Sequence, residues 1–290
     1  MYHLAKAGDL KQRNYSSTKK VMLFCNARDE KHLREWVAHH LILGFDKIVI
    51  FDHKSKIPVK DWVGNFPPKN VSVIRTDIEA AVKLPLMNQA AQIAQKEKAD
   101  WMIYLDADEY LILHYTTSNI RQFLNRYNHA HSVGVNWLMY GSNNLVTDPN
   151  DLILTSYTKS EILLDRHVKS FCRPSEITGC DNPHFYHIKN KKNYFGINNV
   201  RLTRNPYFNN IKLPFYKAPC YIAHFYNQSE ETFRNRRCNL PTDDRGIMRE
   251  LKSTDISYIH GEYNKIDNIY AAKRYGDKIK KILAKFQYDF

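Results

Sequence analysis

Residues 101–113, WMIYLDADEYLIL, constrain this chain more than any other stretch. Trp101 to Leu105 form an unbroken apolar and aromatic run, the length of a strand buried on both faces. Asp106, Asp108 and Glu109 follow where such a strand ends, and the apolar run resumes from Tyr110 to Leu113. In an open α/β sheet, ligands bind in the crevice beyond the carboxyl ends of the strands. Asp106 and Asp108 lie two apart, so both can reach one cation there. Their hard oxygens suit Mg²⁺ or Mn²⁺, with a substrate diphosphate completing the shell. A solvated acidic turn is the weaker reading, because three acids at a buried strand's mouth repel one another unless a cation stands among them. A phosphatase-type aspartyl nucleophile also uses Asp-x-Asp after an apolar strand. It wants Thr or Val next and an early first strand, whereas here Glu109 follows late in the chain.

The flanking segments place this strand in a sheet. Residues 21–25, 47–51 and 71–75 read as short apolar strands. A helix is expected from near Asp29, with Leu33, Trp36, Val37, His40 and Leu41 on one face and Gly44 as its C-terminal cap. Residues 86–96 are helical in pattern. The order strand, helix, strand, strand, helix, strand predicts an α/β fold: a mixed, mostly parallel sheet flanked by helices, in a single catalytic domain. The first two strand ends are polar as well. Arg28 can neutralise a phosphate, and Asn26 or Asp52 can hydrogen-bond a base or ribose. With the acidic strand end they describe a nucleotide pocket closed by a metal.

Later in the chain, Ser118 is expected to cap a helix carrying Ile120, Phe123, Leu124 and Tyr127. Residues 132–140 read as a strand and 141–144 as a turn. Residues 165–190 hold Arg166, His167, Lys169, Arg173, Glu176, Asp181, His184 and His187, broken by Pro174, Gly179 and Pro183. They read as irregular structure lining a site. Residues 191–219, rich in Asn and Lys with several aromatics, read as an acceptor-facing loop. Residues 221–226 form a strand bearing His224, and Ser229 caps a helix running to Cys238.

Lys and Arg number 43 against 30 Asp and Glu, a formal net charge of +13 that favours an anionic partner. A nucleic-acid-binding or nucleotidyl-transfer protein is one class that charge admits. It would want a basic stripe with base-stacking aromatics, and nucleic acid is not the expected partner. No run of 18 apolar residues suggests a membrane span. The opening residues lack the apolar segment of a signal peptide and read as a basic arm over 1–20. Cys25, Cys172, Cys180, Cys220 and Cys238 are odd in number and form no CxxC pair. They read as reduced thiols in a cytoplasmic protein rather than a zinc site.

Several stretches together resemble the metal-dependent glycosyltransferases with a GT-A fold, in the family 2-like and family 92 group. They are residues 24–55 (FCNARDEKHLREWVAHHLILGFDKIVIFDHKS), 101–111, 137–144 (WLMYGSNN), 166–174 (RHVKSFCRP), 183–185 (PHF) and 221–233 (YIAHFYNQSEETF). The resemblance implies a nucleoside-diphosphate-sugar donor, usually uridine-based, a glycan acceptor and inversion at the sugar carbon. It implies that Asp106 and Asp108 hold metal and ribose, that His224 is a third metal ligand, and that Asp52 meets the base. It divides the chain into a nucleotide-sugar-binding half, 21–115, and an acceptor half, 116–262. GSNN stands where the group usually has Gly-Ser-Ser-Gly, and residues 236–246 (RRCNLPTDDRG) follow its Lys-x-x-Arg-Gly pattern only loosely. Inverting transfer needs a carboxylate base on the acceptor side of the sugar. Asp181 is the first candidate, with Asp243 and Asp244 as rivals. Lys169 and His184 are candidates for phosphate or acceptor contact.

Residues 266–286, within the terminal segment 263–290, read as a helix with Ile279, Ile282, Leu283 and Phe286 on one side and six cations elsewhere. One reading packs this stripe on the catalytic domain. The other lays the helix on an anionic membrane as a peripheral anchor, suiting a lipid-linked acceptor.

Overall fold

The computed structural model describes residues 18–79, 81–251 and 253–288, so most of the basic arm lies outside it. Strands β1 (Val21–Ala27), β2 (Lys47–His53) and β3 (Val71–Thr76) alternate with helices α1 (Leu33–Leu43) and α2 (Val59–Val63). Helix α3 (Lys83–Lys96) leads into β4 (Trp101–Tyr104) and β5 (Glu109–Leu113). Helix α4 (Ile120–Leu124), β6 (Ser132–Met139), α5 (Ile153–Ser156) and β7 (Lys159–Ser160) follow. Then come β8 (Val168–Cys172), β9 (Ile177–Asn182), β10 (Phe185–Ile188), β11 (Tyr194–Gly196) and β12 (Cys220–His224). Helices α6 (Glu230–Phe233) and α7 (Ser253–Gly261), β13 (Ile266–Asp267) and α8 (Tyr270–Lys285) complete the described chain.

The main sheet runs β3-β2-β1-β4-β8-β6-β12-β5, with β11 beside β6. Strand β1 is parallel to both β2 and β4, and β2 to β3, so the chain winds outward to β3 and returns on the other side of β1. That reversal makes the gap between the ends of β1 and β4 a switch point where a ligand crevice opens. Strand β8 enters antiparallel between β4 and β6, and β12 lies parallel to β6 and antiparallel to β5. The expected mixed, mostly parallel sheet flanked by helices is the fold observed.

Apolar strands of this kind must be covered on both faces. On one face Trp36, Val37, Ile279 and Leu283, from α1 and α8, join the larger core. On the other, Leu86 and Ala90 of α3 pack with Met102, Tyr104 and Tyr186. Gly44 ends α1 at φ +91°, a left-handed cap that glycine takes without steric cost.

Four local expectations are corrected. Helix α1 starts at Leu33 rather than near Asp29, because Asp29 turns the chain at φ +53° and its carboxylate accepts the Lys56 N–H at 2.7 Å. Asn119, not Ser118, caps α4, accepting the Gln122 N–H at 3.0 Å. Residues 165–190 are largely strand, β8 to β10, their alternation masked by buried Lys169 and Ser170. The helix expected to begin at 266 begins at Tyr270, after β13 pairs with β7. Its apolar side packs on α1 and α5, so the face a membrane-lying helix needs is covered. No helix among the described residues is long and apolar enough to cross a membrane. All five cysteines are free.

Candidate active site

Parallel pairing of Phe24 with Tyr104 carries Asn26, at the end of β1, alongside the turn that holds Asp106. Asn26 Oδ1 accepts hydrogen bonds from the Tyr104 hydroxyl at 3.1 Å and from Lys83 Nζ at 2.9 Å. Lys83, from the first turn of α3, also bonds Asp106 Oδ1. Lys169 reaches in from β8, its Nζ 3.1 Å from Asp106 Oδ2 and 3.7 Å from Glu109 Oε2. Glu109 closes the turn by accepting the Asp106 N–H at 2.8 Å. Burial, then the neighbouring Lys169, lowers the Lys83 ammonium to about 8. Burial raises the fully buried Glu109 carboxyl to about 7, against the pull of Lys169.

Asp108 and His224 meet through the sheet. Glu109 of β5 pairs with His224 of β12, and the Asp108 carbonyl accepts the Phe225 N–H at 2.9 Å. His224 Nε2 consequently stands 3.8 Å from Asp108 Oδ1. Arg236 Nη1, at 3.1 Å, and Arg237 Nη2, at 3.5 Å, flank Asp108 Oδ2 from a π-helical turn after α6. Arg237 lies over the Tyr226 ring at 3.9 Å. Burial opposes charge on Asp108, yet Arg236, His224 and Arg237 together hold its carboxyl well below the usual range. Burial keeps His224 neutral, its imidazole lowered to about 4 despite Asp108.

One cleft collects these groups. Its far wall is a loop, 239–250, tied down by Asp243: its carbonyl accepts the Lys83 N–H at 3.0 Å and its Oδ2 the Asn26 amide at 2.7 Å.

Residues 22–257 match the description "Glycosyltransferase family 92". The chain belongs to glycosyltransferase family 92. A family 92 protein of Arabidopsis thaliana is 21% identical over 231 residues, covering 73% of this chain and 40% of its own length. The chain therefore spans well under half of that relative. Among solved structures, HddC of Yersinia pseudotuberculosis overlaps 57% of this chain and 81% of its own, at 14% identity and a TM-score of 0.33. A 4-diphosphocytidyl-2C-methyl-D-erythritol synthase of Anaerococcus prevotii overlaps 54% and 71%, at 8% identity and a TM-score of 0.33. Nothing about ligand or activity follows from overlaps this slight.

This family 92 chain brings Asn26, Arg28, Asp106, Asp108, Lys169, His184, His224, Asp243 and Asp244 to one cleft. Two expected residues are elsewhere. Asp181 is exposed on β9, paired with His187 Nε2 at 2.8 Å, and does not line the cleft. Asp52 is buried at the end of β2, where it accepts the Ser55 and Val59 N–H groups and Arg75 Nη1. It closes the turn into α2. Lys83 was missed because nothing in its local sequence separates it from a surface lysine. Arg236 and Arg237 were read only as helix cations, although an arginine pair soon after His224 was a usable signal.

The donor set fits a divalent ion in part. A neutral imidazole and a buried carboxylate 3.8 Å apart suit two ligands of one ion, each of which would lie about 2.1 Å from it. Asp106 is engaged by two lysines instead. Among the described residues no three His, Cys, Asp or Glu side chains are grouped to hold an ion. Arg28 Nε is buried without a hydrogen-bond partner among the described residues, a donor suited to a phosphate oxygen.

Proposed function

We propose that this chain moves a sugar from a nucleoside-diphosphate donor, uridine-based as the family resemblance favours, to a glycan hydroxyl with inversion. The observation that carries the reading is a buried acidic strand end at a sheet switch point, ringed by Arg28, Lys83, Lys169, Arg236 and Arg237. Acid alone would repel a diphosphate and base alone would not place a cation. The two together suit a metal–diphosphate pair.

Asp108 and His224 would hold Mn²⁺ or Mg²⁺, with Asp106 beside them. A bound ion supplies Lewis-acid stabilisation of charge on the departing diphosphate. Arg28, Arg236 and Arg237 present fixed donors to the same oxygens, at no reorganisation cost when charge develops. Asp243 and Asp244 are the base candidates, because both line the cleft and Asp181 does not.

Titration calorimetry of uridine diphosphate, with and without Mn²⁺, tests the reading. We expect Mn²⁺ to tighten binding at least about tenfold, roughly 1.4 kcal/mol. Asp108→Asn and His224→Ala should each remove that gain. Equal affinity with and without Mn²⁺ in the unaltered chain would sink the metal bridge.

A further inference from the structure

A strip of partly exposed rings continues from the cleft, through Trp137 of β6 and His167 just before β8, to the loop beyond β11. Trp137 and His184 line the cleft itself. His167 stacks on Trp137 with ring centres 5.3 Å apart and planes 29° apart, and Phe208 meets His167 at 4.8 Å. Tyr207 lies 5.8 Å from His184. None of these five side chains is buried. The loop carrying Tyr207 and Phe208 is pinned to β8: Val168 N–H donates to the Tyr207 carbonyl at 3.2 Å and Asn209 N–H to that of Arg166 at 2.8 Å.

A polar pair is set into the strip. Asp165 Oδ1 accepts His167 Nδ1–H at 2.6 Å and the His167 backbone N–H at 2.8 Å. A carboxylate can only accept, so Nδ1 carries a proton and the ring is held in one orientation. Nε2 has no hydrogen-bond partner among the described residues. The pair is about one-third exposed, 36% for the Asp165 side chain and 33% for His167.

We propose that this strip is the acceptor subsite and takes a glycan. The inference rests on the sugar-transfer reading of the adjoining cleft. A sugar ring offers weakly positive C–H groups on its face and hydroxyls on its rim. The faces of aromatic rings are electron-rich and match the first. The partly exposed Asp165–His167 pair matches the second. A purely apolar partner would leave the Asp165–His167 pair unused.

The test is retention on a printed array of neutral glycans by the full chain, with and without uridine diphosphate and Mn²⁺. We expect at least one glycan to be retained. Phe208→Ala and His167→Gln should each weaken that signal about tenfold, the size of one stacking or hydrogen-bond anchor. Far-UV circular dichroism and thermal melts of the same variants check that they fold. If the unaltered chain binds nucleotide but retains no glycan, or if both variants retain it equally, the subsite assignment is overturned. If glycan is retained and lost in the variants while nucleotide never binds, the subsite stands and the donor reading fails.

Discussion

Asp108 is the residue on which the site turns, because arginine and ion compete for one carboxylate. Arg236 holds its Oδ2 at 3.1 Å and His224 approaches Oδ1 from the other side. Arg236→Gln should therefore strengthen Mn²⁺ binding measured without nucleotide, by about tenfold, and weaken uridine diphosphate binding measured with it. Opposite signs in the two titrations are the expected signature. A parallel loss in both would mean that the substitution damages the site as a whole. The acids and His224 were legible because charge after a buried apolar run, and a histidine on a short apolar strand, stand out against their neighbours. The lysines were harder to read. Among 43 cations, only the fold shows that Lys83 and Lys169 turn inward onto Asp106. Asp52 shows the converse error, since a strand-end aspartate also serves to close a turn, as its bonds to Ser55, Val59 and Arg75 do here.

At the scale of elements, α8 was legible as an amphipathic helix, but sequence alone did not say what covers its apolar side. Ile279 and Leu283 lie in the main core, and Tyr275 meets His39 of α1 with ring centres 4.7 Å apart. Gly276 lets the helix approach α5 closely, since a Cβ there would come within 3.1 Å of Thr155 Cγ2. Ile279→Ala should cost about 2–5 kcal/mol in urea unfolding, the range for emptying a buried aliphatic site. Lys280→Ala removes a half-exposed pair with Asp151 and should cost about 1 kcal/mol or less. If Ile279→Ala is as mild as Lys280→Ala, the helix does not pack in solution as described. The segment around β8 to β10 was misread for a related reason. Periodicity identifies strands by their apolar residues, and β8 spends two of its five positions on buried polar groups, Lys169 and Ser170.

Across the whole molecule, the first half of the sheet could be read in order because α1 and α3 show clear periodicity between its strands, although α2, only five residues long, was not read. The second half could not, because β8 slots between β4 and β6 only through contacts far apart in sequence. Folding this way seals several histidines inside. His39 is fully buried, its Nε2 2.8 Å from the Leu111 carbonyl, and burial lowers its imidazole to about 4. Burial and the adjacent His39 push His40 well down. In the unfolded chain both would take up a proton near the ordinary value of about 6.5. Between about 6.5 and 4 the unfolded state therefore binds more protons than the folded state, and stability falls as pH falls through that window. Above about 6.5 these two groups leave stability flat. A lowering to about 4 corresponds to a loss on the order of 3 kcal/mol for His39 across the window. Urea unfolding at intervals from pH 7.5 to 4.5 measures the slope. Carboxylates such as Asp108 also lose stability in acid, so the wild-type slope alone does not separate the contributions. His39→Gln does. It should lower stability at pH 7.5 and make the acid slope shallower by about one proton. An unchanged slope would mean that His39 is already protonated, or already open to water, in the folded chain.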